Sequence, residues 1–144
     1  MQPDETDWKI IDILQKGYVP NNTIARKLDI SEGTVRIRLK KLKDSGIMEV
    51  KALINPEVLE NKQLALIGMR VAESRLLESK AEEVSNLENV LSVSIVSGRY
   101  DLTAEVLVNS NRGLVKFLTE QLSTIKGILH TESFLILKSY NKFI

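Results

Sequence analysis

Between Ser31 and Lys41 the chain carries side chains of the types able to hold a nucleic-acid backbone and read its bases. Arg and Lys neutralise phosphates, Ser and Thr hydroxyls bond to them, and an apolar group can meet the methyl of thymine. Basic charge is concentrated here: residues 26–43 hold seven basic residues and two acids, while residues 56–144 hold ten and eleven. The formal net charge is only +1, so bulk charge points to no partner and local charge does. A basic run is usually a solvated face, and geometry decides between the two readings. At about 100° per helical residue, Leu39 and Leu42 fall within about 40° of Val35 and turn inward with it. Gly33, Thr34, Arg36, Ile37, Lys40 and Lys41 then cover the outer arc. Thr34, Arg36, Ile37 and Lys40 are placed to meet base edges. Ser31, Arg38 and Lys41 flank them as phosphate contacts. Metal and thiol chemistry have little to work with, because the chain has no cysteine and one histidine, His130. There is no nucleophile–base pair, phosphate loop or metal-ligand spacing; neither an enzyme nor a cofactor is expected. Acid pairs such as Glu82 and Glu83 read as a solvated helix face.

Three short helices must position the basic face. Residues 4–16 carry Trp8, Ile10, Ile11, Ile13 and Leu14 at helical spacing, with acids in the first turn and Gly17 after the end. Residues 22–28 form a second helix, capped by Asn21 or Asn22, with Ile24, Ala25 and Leu28 as its stripe. Residues 29–31 make a tight connection. Ser31 then caps a third helix reaching Ser45, which Gly46 terminates. Two short helices joined by such a turn, the second basic outside, make a helix-turn-helix. Residues 47–54 are β-forming and stop at Asn55-Pro56, which predicts a connecting strand.

The second half contains two βαβ units. Ile67, Met69 and Val71 alternate along a strand, Leu76, Leu77, Ala81, Val84 and Leu87 mark a helix, and Leu91, Val93 and Ile95 a second strand. Leu102, Ala104, Val106 and Val108 alternate again, Leu114, Leu118, Leu122 and Ile125 mark a helix, and a strand covers residues 128–137. The expected fold is α+β: a trihelical winged/helix-turn-helix domain (1–46), a hinge strand and linker (47–62), and a ferredoxin-like βαββαβ sandwich (63–144). With both helices on one side, Val96, Leu107, Leu135 and Leu137 would lie on the open face beside Ser92, Ser94 and Thr103. Unless loops or the tail cover that face, its apolar surface predicts a homodimer packed sheet to sheet. No run is long and apolar enough to span a bilayer, and the opening MQPDETDWK is acidic where a secretory leader would be basic. A cytoplasmic protein without membrane contact is expected.

These features in this order resemble the Lrp/AsnC family of feast/famine transcription regulators across nearly the whole chain. The family's acid-x-x-acid opening resembles Asp4-Glu5-Thr6-Asp7. Its recognition-helix signature resembles residues 31–42, followed by Ser45-Gly46-Ile47, and its hinge strand resembles residues 50–56. Its Gly-x-Tyr-Asp turn resembles Gly98-Arg99-Tyr100-Asp101, and Ile125-Lys126-Gly127-Ile128 resembles the step before its last strand. Glu60 stands where the family usually has glycine, Lys126 where it often has proline, and the loop 17–22 is atypical. The resemblance implies a double-stranded DNA partner and a C-terminal domain that oligomerises as dimers, commonly into octamers. It also implies a small-molecule effector, often an amino acid. Gly98, Arg99, Tyr100 and Asp101 would then meet the effector's carboxylate and ammonium, with hydroxyls from Thr131 and Ser133. The same turn read bare is a β-hairpin connection. Two alternatives remain: an architectural DNA-binding protein without an effector, and an enzyme of the sirohaem decarboxylase type, which shares the two-domain plan.

Overall fold

The computed structural model describes residues 1–144. The chain divides into two compact units, Met1–Ala52 and Leu53–Ile144, the division falling inside the segment expected as hinge and linker.

The first unit holds α1 (Glu5–Gln15), α2 (Asn21–Leu28) and α3 (Glu32–Asp44). Asp4 caps α1 and Ser31 caps α3 through side-chain oxygens that accept N–H bonds from Asp7 and Thr34. The second helix starts one residue earlier than expected, and neither asparagine caps it. Pro20 occupies the cap, its φ of −61° already suited to an extended residue, and its carbonyl accepts from Thr23 and Ile24. Asp29 ends α2 in the left-handed conformation, turning the chain sharply into α3. Ile10, Ile24, Ala25 and Val35 form the shared core, with Ile13, Leu14, Leu28, Ile30 and Leu39 packed around it. Each large side chain sealed there contributes about 1.5–3 kcal/mol. The packing fixes α3 with Val35 and Leu42 inward and its basic arc outward.

The hinge strand expected over 47–54 does not form as a ladder. Its one strand-like contact is a reciprocal backbone pair between Ile54 and Ile144, 2.8 and 3.0 Å. Val50, Leu53 and Ile54 stay exposed. Nor does any strand form within Met1–Ala52, so the first unit is a bare helix-turn-helix without a wing.

The second unit is a four-stranded antiparallel sheet in the order β2-β3-β1-β4. The elements run β1 (Lys62–Val71), α4 (Leu77–Ser85), β2 (Val90–Ile95), β3 (Leu102–Asn109), α5 (Gly113–Lys116) and β4 (Ile128–Leu135). This is the ferredoxin-like arrangement. Past α5 the helix continues as a π turn over Phe117–Gln121 and a 3-10 turn over Leu122–Thr124. Ala65, Ile67 and Met69 of β1 and Leu102, Ala104, Val106 and Val108 of β3 face the helices. They are sealed by Val84, Phe117, Leu122 and Ile125. Phe117, fully buried, was not among the expected core residues although it lies on the same helical face as Leu114 and Leu118.

The sheet differs from expectation in two strands. β2 shifts register between Val90 and Ser92, so Val90 packs on the core while Leu91, expected to alternate with Val93 and Ile95, is left out of the ladder and exposed. β4 shifts register between Met69 and Arg70 of its partner, with His130 as the extra residue at φ +28°. A bulge reverses which residues point to each side. Leu135, opposite Ala65, therefore lies on the helix side, and Phe134, opposite Leu66, takes the open face. Leu137 lies beyond the strand, almost wholly exposed. The tail reaches part of the open face through the Lys142–Glu105 ion pair at 2.5 Å. Leu66 (39% exposed) and Phe134 (46%) remain in solvent.

Candidate nucleic-acid interface

The N-terminal half of α3 presents a small hydroxyl network followed by cations. Ser31 Oγ accepts from the Thr34 N–H at 3.0 Å and lies 2.8 Å from Thr34 Oγ1. Arg36 and Lys40 extend into solvent, tied only by exposed pairs one turn away: Arg36 to Glu32 at 3.6 Å and Lys40 to Asp44 at 2.5 Å. Such i,i+4 pairs are worth about 0.2–0.5 kcal/mol, so both cations are readily given up to a phosphate or a base edge. Ile37 stands 58% exposed between them, and Lys41 is exposed one turn further.

Arg38 departs from its expected place beside a phosphate. Its Nη1 donates to Asp4 Oδ2 at 2.7 Å and to Asp7 Oδ1 at 2.8 Å. Those two acids also form the capping box of α1: Asp7 N–H donates to Asp4 Oδ1 and Asp4 N–H to Asp7 Oδ2. Asp7 is 3% exposed, the one buried charged residue of the chain. The hydrogen bond from Arg38, with that from the Asp7 N–H, holds the Asp4 carboxyl below its ordinary value. The same contacts, Asp4 first, raise the guanidinium.

The turn after β2 is also built. Gly98 has φ +136°, a conformation that favours glycine. The Asp101 N–H donates to the Met69 carbonyl, and Asp101 Oδ2 accepts from the Val71 N–H at 2.8 Å, so this acid clamps the turn to the end of β1. Arg70 donates to the Arg99 carbonyl at 3.3 Å, and the Tyr100 ring lies against Gly68 on the open face. Thr131 and Ser133 lie opposite Met69 and Ile67, on the helix side of β4. One chain therefore joins Gly98, Arg99, Tyr100 and Asp101 but does not bring Thr131 and Ser133 to the same face as Tyr100. No group of His, Asp and Glu is arranged to hold a metal ion. No helix is long and apolar enough to cross a membrane.

Residues 3–47 match the model of a winged helix-turn-helix DNA-binding domain, and residues 64–143 match that of the Lrp/AsnC ligand binding domain. Together they define a class: a DNA-binding helix-turn-helix joined to a ligand-binding sandwich. Relatives have the same extent. The HTH-type transcriptional regulator FL11 of Pyrococcus abyssi is 33% identical over 144 residues, covering 96% of this chain and 92% of its own length. The HTH-type transcriptional regulator Ptr1 of Methanocaldococcus jannaschii is 30% identical over 139 residues, covering 95% and 93%. A transcriptional regulator of Neisseria meningitidis, solved as a complex with L-Met, matches with a TM-score of 0.72 at 25% identity, covering 98% of this chain and 94% of that one. The chain belongs to the Lrp/AsnC family of transcriptional regulators.

Proposed function

We propose that this regulator binds double-stranded DNA sequence-specifically as a homodimer or a larger assembly of dimers. Its contacts are Ser31, Thr34, Arg36, Ile37, Lys40 and Lys41, with Arg38 held back by its acids. The observation that carries the reading is the exposed, weakly tethered face of α3 against a helix whose other side is fixed in the core. An α-helix fits the major groove and reads bases from its N-terminal half, where Thr34, Arg36 and Ile37 stand. A dimer would present two such helices to half-sites about 34–36 Å apart. Leu66, Phe134 and Leu107 of the open sheet face supply the apolar surface for dimerisation.

The effector is an amino acid or a related small molecule, met by Gly98, Arg99, Tyr100 and Asp101; Thr131 and Ser133 would join only from a second copy. The Neisseria relative solved with L-Met supports that class of ligand. An effector needs to favour one arrangement of subunits by only about 1–3 kcal/mol to act as a switch.

The test is selection of binding sites from a random duplex pool with the full chain, followed by melting of the protein with each amino acid in turn. Enrichment of paired half-sites about one helical turn apart, and a raised melting temperature with one or a few amino acids, are expected. Failure to enrich any motif would overturn the sequence-specific reading, and failure of every amino acid would overturn the effector reading.

A further inference from the structure

Arg38 stands on the DNA-binding helix among cations, yet every hydrogen bond it makes runs back to the start of α1. The two acids it meets are fully used. Each gives one oxygen to the reciprocal cap of α1 and the other to the same guanidinium nitrogen. The residues lie 31 and 34 positions apart in sequence, so the contact ties the first helix of the unit to the third. Asp7 is almost sealed from water and the Arg38 side chain is 28% exposed, which separates this cluster from the loose pairs of Arg36 and Lys40.

From this geometry we infer that Arg38 is a positioning residue for DNA recognition. Latched to the Asp4–Asp7 cap of α1, it sets the roll of α3 so that Arg36, Ile37 and Lys40 face the groove. The inference rests on α3 being the DNA-reading helix. It adds that two acids, which by charge alone repel DNA, are needed for binding it. The core leaves a reason for such a latch. Val35 and Leu42, buried along one line of α3, set which side of the helix faces inward, and apolar contacts, being non-directional, leave its finer roll to a directional contact. A charge-assisted hydrogen bond is directional, and one placed about 60° round the helix from Val35 resists rotation about that axis.

The sign of one substitution separates positioning from phosphate contact. If Arg38 were a phosphate ligand and its acids mere competitors, Asp7→Asn would free it, tighten binding and steepen the salt dependence. If the latch orients α3, Asp7→Asn weakens binding. The full chain is measured by fluorescence anisotropy against the duplex it selects from a random pool and against an unrelated duplex, across salt. Asp7→Asn and Arg38→Met should each lose about tenfold or more on the selected duplex and little on the unrelated one. The slope of log affinity against log salt should stay unchanged, where loss of a phosphate contact lowers it by about 0.9. The double variant should be no worse than either single one, and Arg38→Lys should recover part of the loss. Asp4→Asn keeps a good capping residue at the exposed end of the cluster and should shift affinity the same way by a smaller factor. It carries the test should Asp7→Asn melt below the assay temperature. Tighter or unchanged binding by the aspartate variants, or a shallower salt slope for Arg38→Met, overturns the latch. Lys41→Ala and Arg36→Ala, measured alongside, keep the two readings apart. If neither affects DNA, α3 is not the reading helix; if both do, only the latch is at stake.

Discussion

Tyr100 closes over Gly68: a Cβ at position 68 would stand 2.6 Å from Cδ2 of the ring. The glycine lies in β1 between Thr103 and Glu132 of its neighbouring strands, so the ring uses a gap in the open face that only hydrogen leaves free. This seats the 98–101 turn on the sheet, together with the Asp101 bond to Val71. Gly68→Ala should destabilise the second unit by about 1–3 kcal/mol through overpacking. Removing the ring as well, in Gly68→Ala/Tyr100→Ala, should cost less than the sum of the single changes. Thermal unfolding checks this; strict additivity would mean the ring does not rest there.

Acid should loosen the first unit in a defined window. Arg38 holds the Asp4 carboxyl below its ordinary value of 3.8. A carboxyl depressed in the folded state stabilises above its unfolded value, and that contribution is lost as pH falls through the folded one. Asp4 therefore supports the fold fully above 3.8 and progressively less below it. Melting temperature followed from about pH 6 to about pH 2.5 should fall less steeply for Asp4→Asn than for the native chain. Equal slopes would remove Asp4 from the acid response.

The open sheet face should hold two copies together. Phe134→Asp or Leu66→Asp places a charge where apolar surface would be buried, a change that costs a pairing far more than a free monomer. Light scattering after size exclusion should show the native chain as a dimer or a multiple of one, and either variant shifted to monomer with its far-ultraviolet circular dichroism retained. An unshifted variant would place the interface elsewhere.

Much of this was legible in the sequence. The cap of α3 and the stops of α1 and α3 are written in Ser31, Gly17 and Gly46, and the alternation in β3 gives its buried face residue for residue, whereas Asp4, expected inside the first helix, turns out to cap it. The misses have physical causes. Strict alternation from Ile128 puts Leu135 on the open face, but the bulge at His130 inverts the strand beyond it, a backbone event that no side-chain pattern announces. The 47–54 segment has strand composition without a strand partner in its own chain. Helical angles place Arg38 on the flank of a basic helix, which suits a phosphate contact, without naming Asp4 and Asp7 that stand opposite it. The available signal is the acid-x-x-acid opening, whose two neighbouring carboxylates attract a cation. Phe117 sat in plain view at helical spacing.

Arg36 and Lys41 should separate reading from holding. Arg36→Ala removes a group able to meet a base edge and should cost about 1–3 kcal/mol on the preferred sequence while leaving unrelated DNA little changed. Lys41→Ala should weaken all sequences alike and lower the salt slope by about one phosphate. Equal effects of both changes on every duplex would remove the division of roles.

The most direct test of the central claim is anisotropy of the full chain with the duplex it most enriches from a random pool and with unrelated duplex, across salt. A sequence-specific regulator should prefer the selected duplex by about 10^3 or more, with a steep loss of affinity as salt rises. Equal, weak binding to a duplex selected by the protein and to unrelated DNA would contradict that claim and leave an architectural DNA-binding protein in its place.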